Sequence, residues 1–350
     1  MKNFINLIIW FTTNKRNLPW RNTVDPYHIW ISEIMLQQTR VEQGIGYYRR
    51  FIEQFPDLKS LALATETEVL NLWQGLGYYS RARNLHYTAG YILKVHNGNF
   101  PSEYNALLKL KGIGKYTAAA IASIAFNLPY AAVDGNVMRV LSRYFGIAEP
   151  INSTKGAAII QSLADEVLVK NNPGNHNQAM MELGALVCTP ANTRCNECVL
   201  NLSCLAYLNN MVNQFPVKTS KVKVKYRYIN YFLVNYKHNI LIRKRIANDI
   251  WLNLFELFFV ETNKVENDNV LINIALGKLS NGDPIVLKNL TQKYDKTHKL
   301  THQHLYTKFY ALELSKQINI DDYIWISAKD FSKYPFPVMI QNLLKSEFSK

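Results

Sequence analysis

Residues 108–126 read LKLKGIGKYTAAAIASIAF, and the fold of the first half of the chain turns on this stretch. Gly112 and Gly114 mark a tight turn. The apolar periodicity of TAAAIASIAF makes residues 117–126 a helix, so the turn joins two helices. Glycines let a backbone phosphate approach closely, and the unpaired N–H groups at the start of the second helix can then hold it. Lys109, Lys111 and Lys115 surround the turn with positive charge. Such a grip is independent of base sequence. A Gly-x-Gly on its own is a common helix terminator, so this reading depends on the residues around it.

Twenty residues beyond Gly114 stands NLPYAAVDGNVMRV, in which Asp134 is placed to cap a helix beginning near Asn136. Capping N–H groups hold a carboxylate ionised. Upstream, WISEIMLQQT at 30–39 sets Glu33 among apolar neighbours on nearly every side of a helix. A carboxyl buried there pairs with a cation or takes up a proton. A protonated Glu33 and an ionised Asp134 would form an acid and an anion with separated pKa values, the equipment for cleaving a glycosidic bond.

All four cysteines fall in CTPANTRCNECVLNLSC, as Cys188, Cys195, Cys198 and Cys204. Thiols this crowded, without a secretion signal, favour a tetrathiolate metal site over disulfides. The spacing C-x6-C-x2-C-x5-C leaves zinc and an iron–sulfur cluster both open.

At 350 residues and 48% hydrophobic content the chain can build two cores. Lysine and arginine outnumber the acids 40 to 26, a net +14 that suits a polyanion. FINLIIWF near the start is too short to span a membrane and reads as an amphipathic helix, so no membrane partner is expected and a cytoplasmic, nucleoid-associated location is the default expectation. Helical periodicity fills residues 1–205. A lysine-rich linker comes next at 206–226, with Lys218, Lys221, Lys223 and Lys225 expected to touch phosphate. From about 227 aromatic and β-branched runs read as strands, closed by a helix near FPVMIQNLLKSEF.

Together the hairpin, Asp134, the cysteine loop and SEIMLQQT resemble the helix-hairpin-helix DNA glycosylases, specifically the adenine DNA glycosylases of MutY type. The resemblance runs from LPWR at 18 through GLGYYSRARNLH, VDGNV and NQAMMELGALVC to Cys204, and more loosely beyond. It implies a mainly α region, a six-helix barrel plus an iron–sulfur helical domain carrying a [4Fe–4S] cluster, followed by an α+β Nudix-like domain at 227–350 that recognises 8-oxoguanine. The implied reaction is removal of adenine opposite 8-oxoguanine or guanine in double-stranded DNA by a monomer.

By position, Glu33 would protonate adenine and then activate water, Asp134 would stabilise the sugar cation, and Tyr116 and Asn136 would shape the pocket. Gln38 and Tyr78 resemble the residues that fill the stack once the base is flipped out. Gly112, Gly114 and Lys115 would hold phosphate. Endonuclease III-type lyases, the nearest alternative, carry a nucleophilic lysine where this chain has Tyr116, although Lys115 is adjacent. A silent DNA-binding module is disfavoured by the intact Glu33 and Asp134. A Nudix pyrophosphatase is excluded: the R-E-x-x-E-E box needs an arginine ahead of its glutamates, and no arginine occurs after Arg245 and no glutamate lies between 227 and 245. In the lesion-reading loop, HKLTHQH offers Leu300, Thr301 and His302 where many members have Phe-Ser-His.

Overall fold

A computed structural model describes residues 2–219, 224–280, 285–300 and 302–348. The helical periodicity resolves, in chain order, into α1 (Lys2–Asn14), α2 (Pro26–Leu36), α3 (Val41–Gln54), α4 (Leu58–Leu63), α5 (Glu66–Leu72), α6 (Ser80–Val95), α7 (Tyr104–Leu107), α8 (Lys115–Phe126), α9 (Gly135–Phe145), α10 (Thr154–Val167), α11 (Pro173–Leu186) and α12 (Leu205–Leu208). Their starts obey capping chemistry. Asp25 caps α2 with Pro26 in its first turn, and Asp57 and Thr65 open α4 and α5 with capping boxes.

The chain divides into two compact units, residues 1–64 with 83–220, and residues 65–82 with 221–350. In the first, Leu7 and Phe11 of α1, Leu141 of α9, Ile160 of α10 and Leu183 of α11 share one core. Helix α2 packs against α3 and α8 and buries Ile29, Trp30, Ile31, Glu33, Ile34 and Met35, so it is covered nearly all round, as its composition predicts. The stretch expected to be a linker from 206 departs from that expectation up to 219. Ala206 and Phe215 are buried, Val217 O accepts from Ile151 N, and Asn152 Oδ1 accepts from Thr219 N. Apolar residues ahead of the lysine run, Ala206 and Phe215 among them, draw this segment onto the helical core. Lys221 and Lys223 lie outside the described residues.

The second unit is built on a sheet of β1 (Lys225–Tyr236), β2 (Asn239–Lys244), β3 (Phe255–Thr262), β4 (Leu287–Lys299), β5 (Gln303–Leu314) and β6 (Tyr323–Ser327), in the order β4-β5-β1-β3-β2-β6. Strand β1 runs parallel to β5 and antiparallel to β3. Six consecutive residues of β1, Ile229 to Val234, are buried, the mark of a strand covered on both faces. Helix α13 (Asp268–Ser280) sets Leu271, Ala275 and Leu279 against Phe232, Val234 and Tyr310. Helix α14 (Val338–Phe348) is the expected closing helix, whereas α13 lies in a region expected to be dominated by strands. No helix among the described residues is long and apolar enough to cross a membrane.

Candidate active site

A cavity of about 730 Å³ opens in the first unit, and Glu33, Gln38, Tyr116, Asp134 and Asn136 all line it. Glu33 is 8% exposed on α2. Its Oε2 accepts a 2.6 Å hydrogen bond from the Tyr116 hydroxyl, whose oxygen also lies 3.2 Å from Met181 Sδ. Burial raises the Glu33 carboxyl to about 7, with the charge of Asp134 adding to the effect and the Tyr116 bond opposing it. The same burial holds the Tyr116 phenol well above its ordinary range. A carboxyl that keeps its proton near neutrality can deliver it to a bound base.

Asp134 is the N-cap of α9. Its Oδ1 accepts from Val137 N at 2.8 Å and its Oδ2 from Asn136 Nδ2 at 2.7 Å. Those donors pull its pKa down, but burial is the larger influence and the net direction is upward. The expected separation therefore arises from burial acting harder on Glu33, not from Asp134 being held low.

Asn136 is itself oriented from below, because its Oδ1 accepts from Arg139 Nη2 at 2.8 Å, and Arg139 Nε donates to Cys188 O at 2.8 Å. Gly184 of α11 lies against it. A Cβ at 184 would stand 2.6 Å from Asn136 Cβ, closer than real side chains approach. Gly184→Ala should therefore displace Asn136, lower single-turnover rates about tenfold or more, and cost roughly 1–3 kcal/mol in unfolding free energy. A variant with wild-type rate and stability would show that the helix pair absorbs the methyl.

Sequence reasoning missed the opposite wall. Glu182 of α11 is fully buried, and it accepts from Arg16 N, Nε and Nη2 and from both Arg21 Nη1 and Nη2. Burial alone would raise it, yet the Arg21 and Arg16 donors prevail and bring it to about 2. One cavity thus holds a carboxyl near 7 and a carboxylate near 2. The signal was present in AMMELGAL, a lone acid in an apolar helix like Glu33, but its arginine partners lie more than 160 positions away.

The hairpin forms as predicted. Gly112 has φ +84°, and a Cβ there would meet Asn84 Cβ at 2.7 Å. Gly114 is the N-cap of α8 and no side chain caps that helix, so its first N–H groups are open to an anion. Tyr116 sits in the same first turn, which ties the phosphate grip to the partner of Glu33. Lys115 is exposed. Gln38 adopts the left-handed region at φ 57°, a strained conformation of the sort concentrated at functional positions.

Tyr78, in the second unit, is also left-handed at φ 47° and is 37% exposed. The Arg81 guanidinium lies 5.7 Å from its ring and 5.2 Å from that of Trp73. In the loop between β4 and β5, Leu300 N donates to Gln303 O, and His302 is exposed with its carbonyl accepting from Lys225 N. Thr301 lies outside the described residues.

Cys188, Cys195, Cys198 and Cys204 are unbridged thiols that line one cavity with Val140, Leu183, Val187 and Leu200. Burial pushes Cys198 up to about 11, and the neighbouring cysteines push it the same way. Arg143 is buried beside them, donating to Thr189 O at 2.7 Å and to Cys188 Sγ at 3.4 Å. Four thiols lining one apolar pocket fit a metal group that would bind them as thiolates. Among the described residues no three His, Cys, Asp or Glu side chains are gathered to hold a single ion.

Residues 31–165 match the HhH-GPD superfamily base excision DNA repair proteins, and residues 230–346 match the NUDIX domain. The chain is 41% identical over 242 residues to the adenine DNA glycosylase of Buchnera aphidicola subsp. Baizongia pistaciae (strain Bp), which is 69% of this chain and 68% of that one. It is 38% identical over 254 residues to the adenine DNA glycosylase of Buchnera aphidicola subsp. Schizaphis graminum (strain Sg), covering 72% and 73%. Among solved structures, a thermostable thymine-DNA glycosylase superposes with a TM-score of 0.55 at 28% identity, over 59% of this chain and 95% of that one. With a buried acid and a capped aspartate in one cavity beside a glycine hairpin, and relatives matched across two thirds of their length, the chain belongs to the adenine DNA glycosylase family.

Proposed function

We propose that this protein hydrolyses the N-glycosidic bond of adenine mispaired with 8-oxoguanine or guanine in duplex DNA, leaving an abasic site for base excision repair. The observation that carries the reading is the hydrogen-bonded pair Glu33–Tyr116 in the same cavity as Asp134. Adenine flipped into the cavity takes the Glu33 proton, which makes it a neutral leaving group. As the bond breaks, positive charge grows on the sugar and Asp134 meets it with an anion. Glu33, now ionised, accepts the proton of the attacking water. Gln38 and Tyr78 fill the vacated stack, and the α8 N-terminus with Gly112, Gly114 and Lys115 holds phosphate.

Tyr116 cannot form a Schiff base, which favours a monofunctional hydrolase, and strand cleavage by the adjacent Lys115 is the outcome that the alkali control below separates. Leu300, Thr301 and His302 read the base opposite adenine. Cys188, Cys195, Cys198 and Cys204 would hold a [4Fe–4S] cluster, which when bound ties residues 188–204 into one rigid loop. The protein acts as a monomer on chromosomal DNA, with residues 1–205 catalytic and 227–350 reading the lesion.

A single-turnover assay on duplexes pairing labelled adenine with each opposing base tests this. Release opposite 8-oxoguanine and guanine is expected, with strand breaks only after alkali. Breaks without alkali would make the protein a lyase, and release independent of the opposing base would remove the lesion-reading role of the second unit. Metal analysis should find iron and no stoichiometric zinc.

A further inference from the structure

Strand parity sorts the rings of the second unit. On β1 and β5, Phe232, Val234, Tyr310 and Leu312 share one face and pack in the core with α13. Further back on the same strands that face carries Tyr226 and Tyr228 on β1, paired in register with His304 and Tyr306 on β5. Here it is open, with Tyr226 56% and Tyr306 36% exposed. The rings form a continuous strip: Tyr228 stacks on Tyr306 at 5.3 Å and 17°, and the Tyr226 ring stands 5.6 Å from His304.

Beside the strip a pocket of about 210 Å³ has Tyr228 and Tyr306 as walls, with Asn230, Thr297 and Lys308 supplying polar groups. Lys264 and Lys296 are exposed at its rim, against Asp295 and Glu266, and Lys299, also exposed, is paired with His304 of the strip. Exposed π faces set among cations match unpaired bases on a phosphate backbone, since stacking tolerates any base and lysines track the phosphates. An apolar protein surface would gain little from such a lysine border.

We propose that this strip binds unpaired nucleobases of single-stranded DNA, a binding activity separate from excision. It requires neither Glu33 nor the lesion-reading loop, although β5 enters the strip directly from that loop.

The test uses the full chain and two probes of equal length, an oligothymidylate and a chain of abasic sites. Tyr226→Ala/Tyr306→Ala should lose about tenfold to a hundredfold in oligothymidylate affinity. Its affinity for the abasic chain and its salt dependence should be unchanged, because no phosphate contact is removed. Tyr226→Leu/Tyr306→Leu keeps apolar bulk without a π face and should show the same loss. Adenine release from a mispaired duplex should persist in both variants.

Equal wild-type affinity for the two probes would overturn the proposal. So would undiminished oligothymidylate binding in the alanine variant, or wild-type binding in the leucine variant. Failure of the glycosylase reading would show separately, as absence of adenine release by the wild-type protein.

Discussion

Glu33→Gln should lower adenine release about 100- to 10,000-fold while making the folded protein more stable above neutral pH. The amide preserves shape and still accepts the Tyr116 hydroxyl, so binding of the duplex should survive. It has no acidic proton to give. The stability change arises because the folded carboxyl stands at about 7 against an ordinary 4.5. Between those values the native state binds more protons than the unfolded state, so wild-type stability falls as pH rises and the loss is complete above the folded pKa. That loss is on the order of 3 kcal/mol, and the glutamine variant does not suffer it. Urea titrations at pH 4 and pH 8 should therefore diverge between the two proteins only at the higher pH. A variant equally stable relative to wild type at both would place the Glu33 pKa near its ordinary value.

The same substitution at Glu182 should have the opposite sign. Glu182→Gln leaves Arg16 and Arg21 facing each other with no anion between them, and breaking a buried charge network from one side costs about 3–5 kcal/mol. It should also disturb the chemistry at a distance. Arg21 already acts on Glu33 in the direction of ionisation, and without Glu182 its charge is no longer screened, so less of Glu33 stays protonated. Single-turnover release at neutral pH should drop and then recover as pH is lowered. An unfolding free energy within about 1 kcal/mol of wild type would mean that water replaces the lost anion.

Glu33 and Asp134 were legible in the sequence because their signals are local: one turn of apolar neighbours around Glu33, and a cap residue ahead of a helix at Asp134. The Arg21–Glu182 clamp was not, since its partners are 161 positions apart and neither stretch names the other. Helix α13 was missed for a different reason. Its DNVLINIALG is rich in β-branched residues, and short apolar runs of that kind do not separate strand from buried helix. The segment at 206–219 reads as a tether because a run of lysines from Lys218 to Lys225 follows it, yet burial is decided by Ala206 and Phe215. The left-handed backbones of Gln38 and Tyr78 left no trace in residue type, because neither is glycine, asparagine or aspartate. Such strain becomes visible only once the surrounding fold imposes it.

The central claim is that a protonated Glu33 releases adenine, and the pH dependence of the wild-type single-turnover rate tests it most directly. With saturating protein and a duplex pairing adenine with 8-oxoguanine, the rate should fall about tenfold per pH unit above about 7, the value to which burial raises Glu33, and fall again at acidic pH, where Asp134 takes up a proton. A rate that stays constant from about pH 5.5 to about pH 9, or that climbs with pH across that range, would contradict it.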